Sequence, residues 1–147
     1  MNLLDKLRSE IERYRSKGFV KAVVAACALV AFADGGLSLG ERGRLDAVVR
    51  ELNRFPEIDA RKAEQYLREY IAALSADWAT AAPVLERKVV RECDSWKKAR
   101  TALRLAHNVV GAPGSELGKT AREFERLCAL VNVAPDVARR PLDALAT

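Results

Sequence analysis

The stretch AVVAACALVAFA, Ala22 to Ala33, is twelve apolar residues in a row. A helix made of it has no polar side to offer water, so other elements must surround it. At about 1.5 Å per residue it extends about 18 Å, well short of the ~30 Å hydrocarbon layer of a bilayer. No membrane span is therefore expected, and the stretch reads as the central helix of a folded core, running from about 19 to 33. Its alanines, Ala22, Ala25, Ala26, Ala28 and Ala31 among them, let neighbouring helices come close.

What surrounds this helix is expected to be helical too. Strand-forming residues are not clustered, while Ala, Leu, Arg and Glu recur throughout. The 147 residues suffice for one domain, 1–147, that buries a core without disulfide or metal staples. A first helix is expected over 2–16, with Leu4, Leu7, Ile11 and Tyr14 as its seam, interrupted at Lys17-Gly18. Ser38 and Glu41 have capping-box spacing, which starts a third helix running to about Asn53, with Leu45, Val48, Val49 and Leu52 on one face. After Asp59, Ala63, Tyr66, Leu67, Tyr70, Ile71 and Leu74 keep helical spacing to about 75. Another helix spans 77–92 with Trp78 and Leu85 inward and Pro83 near its start. A further one covers Ser95 to Val110, the next ends near Leu130, and a short last helix follows Pro135. The fold class expected is all-α, a compact bundle of seven or eight helices.

Charge and cysteine usage narrow the function classes. Basic residues exceed acidic ones by 25 to 20, a formal net charge of +5. Part of the excess sits early, in Lys6, Arg8, Arg13, Arg15, Lys17 and Lys21, where a solvated helix face accounts for it. Nucleic acid is not an expected partner. Three cysteines, Cys27, Cys93 and Cys128, are widely spaced, each inside a helical apolar pattern, and only one histidine accompanies them. No Cys pair has zinc-ligand spacing. They read as buried free thiols of a cytosolic protein, and no signal peptide is evident.

The chain also repeats itself. A shift of 79 residues pairs Val30 with Val109, Ala33 with Ala112 and Gly35 with Gly114. It also pairs the later apolar positions Leu45 with Phe124, Val48 with Leu127, Val49 with Cys128 and Leu52 with Val131. This reads as a duplicated helix-loop-helix unit, about 19–53 and 98–132, separated by a helical pair over 60–92. Charge is not preserved: Asp34 pairs with Pro113, and Glu41 with Thr120.

In the first loop, Asp34-Gly35 followed by Glu41 matches the second half of an EF-hand pattern, with Leu37 at its apolar position. Val30 and Phe32 stand where the earlier oxygen ligands belong, so an ordinary EF-hand is excluded. Two readings of Asp34 and Glu41 stay open. They hold a divalent cation with water or a second segment, or they are turn and cap residues, Asp34 bonding locally and Glu41 closing a capping box on Ser38.

The segment RYRSKGFVKAVVAACALVAFADG resembles the opening of tellurite-resistance TerB proteins, which have a basic entry, an Ala/Val-rich helix and then Asp-Gly. The arrangement of Asp34, Gly35, Leu37 and Glu41 is similar to the signature of the wider TerB-like group, and ALRLAHNVV and ALVNVAP extend the likeness over nearly the whole chain. The resemblance implies an internally duplicated, all-helical, non-enzymatic domain of tellurite or chemical-stress response. It implies a cytoplasmic place, or loose association with the inner membrane face, and protein partners that include stress-response or membrane-embedded proteins. It implies a metal ion held by acidic residues of both repeats, here Asp34 and Glu41 in the first. Calcium, magnesium, manganese and zinc are the ions to consider. Pro113 and Thr120 replace the second pair, and Glu116 and Glu123, though near, do not fill those positions. The alternative is a metal-free protein-interaction module whose metal site has decayed.

Other candidates carry less. His107 on its helix has no Cys or Ser nucleophile at a telling spacing, so a hydrolase built on Asp34, Glu41 and His107 is not expected. Trp78 and Trp96 read as core or rim packing residues. GAPGSELGKT lacks the first glycine of a phosphate-cradling loop, Pro113 standing in its place, and no strand precedes it.

Overall fold

The burial expected of the central stretch organises the molecule. A computed structural model describes residues 17–33, 60–110 and 119–139, together with Gly43, Asp46, Val49 and Arg50. Six helices have described bounds: α1 (Lys17–Phe32), α2 (Ala60–Ala76), α3 (Trp78–Glu92), α4 (Trp96–Val110), α5 (Lys119–Leu130) and α6 (Pro135–Arg139). No strand occurs among the described residues. Gly43, Asp46, Val49 and Arg50 are helical as well, within the span expected for a helix before Asn53, and Val49 is buried. The expected first helix over 2–16 lies outside the described residues.

Helix α1 packs against α2, α3, α4 and α5. Apart from Lys21, every residue from Phe19 to Ala31 is buried. Each large side chain buried there, such as Leu29, contributes about 1.5–3 kcal/mol through removal of apolar surface from water. Lys21 stays at the margin because its ammonium sits 5.0 Å above the Tyr66 ring.

One boundary differs from expectation. Lys17 and Gly18 form the first turn of α1, which starts two residues ahead of the expected 19. A Cβ at Gly18 would stand 2.6 Å from the Glu92 carboxyl carbon, so the glycine leaves room for the tip of the Glu92 side chain at the start of α1.

The outer helices follow their apolar periodicity. Ala63, Leu67, Tyr70 and Leu74 form the buried stripe of α2, with Tyr66 and Ile71 partly buried beside it. Asp77 caps α3, accepting from the Thr80 amide at 3.3 Å and from its hydroxyl at 2.7 Å. These two bonds draw the Asp77 carboxyl below its ordinary range. Pro83 lies inside α3, at its sixth residue, rather than near the start. The carbonyl it leaves without an intrahelical donor belongs to Ala79, an exposed residue that water can reach.

Ser95 caps α4 through the Lys98 amide at 3.2 Å. Helix α5 ends in a Schellman motif: Val133 donates to the Cys128 carbonyl at 3.0 Å and Asn132 to that of Ala129 at 3.4 Å. Asn132 takes the left-handed conformation this requires, with φ 58°. The 79-residue shift carries Lys17 onto Trp96, the first residues of α1 and α4. The loops that follow these helices in the two repeats lie outside the described residues, and five of the seven paired positions have at least one member there.

Candidate functional site

Helices α3 and α5 each pack on α1, and side chains link the two. The inward side of α3 carries Ala82, Leu85, Val89 and one polar residue, Glu86. The inward side of α5 carries Phe124, Leu127, Cys128 and likewise one acid, Glu123. Each of these glutamates is 6 % exposed. The Arg126 Nε donates to Glu86 Oε2 at 2.7 Å, which pays part of the cost of burying that carboxylate.

Glu123 meets Glu86 in a hydrogen bond between carboxyl groups. Burial, this bond and the repulsion of the Glu86 charge push the Glu123 carboxyl up to about 9, with Arg126 opposing. At neutral pH the pair therefore holds one proton between its two carboxyl groups. Its Oε1 atom is buried without a hydrogen-bond partner among the described residues.

Two depressions open on either side of this triad. The larger, of about 750 Å³, lies between the outer faces of α3 and α5. Val84, Val90 and Leu130 line it and are 48 %, 41 % and 41 % exposed. Among the described residues only one other large apolar side chain, Trp96, is exposed, and Arg100 stacks on it at 4.8 Å. Four basic residues, Arg87, Lys88, Arg91 and Arg126, share the lining with a single acid, Glu86. The smaller depression, about 200 Å³, is lined by Ala33, Trp78, Arg122, Glu123 and Arg126.

Asp34 and Glu41, the expected cation ligands, lie outside the described residues, as do Pro113 and Glu116. Glu123 is described and forms the acid pair. Among the described residues no three His, Cys, Asp or Glu side chains gather as a metal would need. Cys27, Cys93 and Cys128 are free and buried, as expected. Burial raises the thiols of Cys27 and Cys93 to about 12 and that of Cys128 to about 11, which favours the protonated form over a reactive thiolate. His107 packs edge-on to Phe124 with centroids 5.2 Å apart.

Compared with known proteins, the chain matches no family model, no curated protein and no solved structure. The site is thus argued from its own geometry. Sequence reasoning passes over Glu86, Arg126 and the groove. One signal was available: Val84 and Val90 fall out of phase with the inward positions Ala82, Leu85 and Val89, which places valines on the solvent side of α3.

Proposed function

We propose that the chain is a non-enzymatic, TerB-like helical module of tellurite or chemical-stress response that works by docking a protein partner, with the α3–α5 groove as its docking face. The observation that carries docking is the gathering of Val84, Val90 and Leu130 in one depression. Apolar side chains exposed singly are ordinary, whereas a cluster of them in a concave surface is the usual mark of a binding face. The stress-response assignment, the cytoplasmic location and the association with the inner membrane face rest on the sequence resemblance.

A second reading keeps a divalent cation at Asp34 and Glu41. It rests on the resemblance of the arrangement of Asp34, Gly35, Leu37 and Glu41 to the TerB-like signature.

One experiment tests both. A strain whose sole copy encodes the wild type, Val84→Glu/Leu130→Glu or Asp34→Ala/Glu41→Ala is challenged with tellurite, with each protein's abundance and melting temperature measured alongside. Docking predicts that the first double variant stays folded and loses protection. Full protection by it overturns the docking reading, and full protection by Asp34→Ala/Glu41→Ala counts against the cation. No difference between wild type and an empty strain removes tellurite from the assignment.

A further inference from the structure

Resting on the docking reading, we infer that the α3–α5 groove takes an acidic amphipathic helix of a protein partner. Val84, Val90 and Leu130 supply apolar contacts, and Arg87, Lys88, Arg91 and Arg126 supply cations along the same lining. The stretch of α3 from Val84 to Arg91 is about 10 Å long, room for about two turns of a bound helix. A helix seated here offers apolar residues at three- and four-residue spacing to the valines and Leu130, and its flanking side chains to the cations. Flanking carboxylates meet Arg87, Lys88, Arg91 and Arg126, and flanking lysines are repelled.

The cations are also held ready. Arg126 has one edge of its guanidinium fixed on Glu86 at 2.7 Å, so its remaining N–H groups are positioned to donate. Lys88 lies over the Tyr70 ring at 5.3 Å and donates to the Tyr70 hydroxyl at 3.3 Å. Arg91 makes a loose pair with Glu92 at 3.5 Å, and Arg87 makes no ion pair among the described residues. Arranged cations of this kind favour carboxylates, which Arg binds through two parallel hydrogen bonds.

The shape separates this partner from two other anionic ones. A bilayer is broad and flat, while the apolar residues here line a concavity. Single-stranded nucleic acid stacks its bases on aromatic side chains, and no aromatic residue is among those lining the groove.

The test uses the full chain and a displayed library of random 16-residue peptides, counter-selected on Val84→Glu/Leu130→Glu. The expected winners carry Asp or Glu flanking apolar residues at helical spacing. Their affinity, read by fluorescence anisotropy, falls at least about tenfold in Val84→Glu/Leu130→Glu. It falls about tenfold in Arg87→Glu/Arg91→Glu at low salt, and by less at high salt. All four positions are exposed, and thermal melts verify that both variants fold. Groove-dependent winners that are neutral or basic overturn the acidic partner and leave docking standing. If no peptide distinguishes wild type from Val84→Glu/Leu130→Glu, both fail. Flotation with phosphatidylglycerol vesicles, dependent on the same residues and without peptide winners, assigns the face to a membrane and overturns the inference.

Discussion

Two carboxyl groups in contact inside an apolar setting share one proton, and Glu86 with Glu123 is such a pair. Glu123 binds its proton more tightly in the folded state than in the unfolded chain. Folding therefore has its full benefit from this residue below the ordinary glutamate value, and stability is lost as pH rises from there towards about 9. Glu123→Gln keeps a hydrogen-bond donor to Glu86 and removes the titration. The variant is expected to be more stable than wild type at pH 8, by about 1–3 kcal/mol, with the gap closing towards pH 5. Denaturant melts across that range measure it, and a constant gap would mean that Glu123 does not carry the proton. The sequence shows Glu123 as one acid near the second loop. It cannot show Glu86 as its partner, because what pairs them is the packing of α3 and α5 on α1, across separations of about forty residues.

At the scale of elements, periodicity read well because burial imposes it. The stripe of α2 and the ends of α4 follow directly from apolar spacing and from the Ser95 cap. Glycine and proline read less well, since each has more than one use. Gly18 lies in the first turn of α1 beside the Glu92 carboxylate, and Pro83 is tolerated in mid-helix where Ala79 faces water. Asn132 is the opposite case, a residue whose role is conformational although its side chain is polar. Holding φ at 58° strains any residue with a Cβ, asparagine less than most. Asn132→Gly is expected to raise stability by about 0.5–1 kcal/mol, and Asn132→Val to lower it by about 1–2 kcal/mol. Thermal melts of the pair decide this. Equal stabilities would mean that the Schellman turn does not hold the end of α5.

For the whole molecule, stability and docking draw on different parts. Helix α1 touches four of the other described helices and gives almost nothing to solvent. The groove sits on the outer faces of α3 and α5 and uses side chains the core does not need. The sequence showed the first of these clearly, because twelve apolar residues in a row leave a helix no alternative to burial. It showed the second only as two valines out of phase, since a groove depends on how two helices lie beside a third. This division has a measurable consequence. Leu29 is fully buried, so Leu29→Ala should cost about 2–5 kcal/mol, whereas Val84→Glu/Leu130→Glu should change stability by about 1 kcal/mol or less. If α1 binds the bundle into one cooperative unit, its amides exchange with deuterium only when the whole unfolds. In Leu29→Ala the slowest amides of α1, α3, α4 and α5 should then all lose protection by the same free energy as the global loss. Loss confined to α1 would show that the outer helices hold together without it, and the groove would then be framed by α3 and α5 alone.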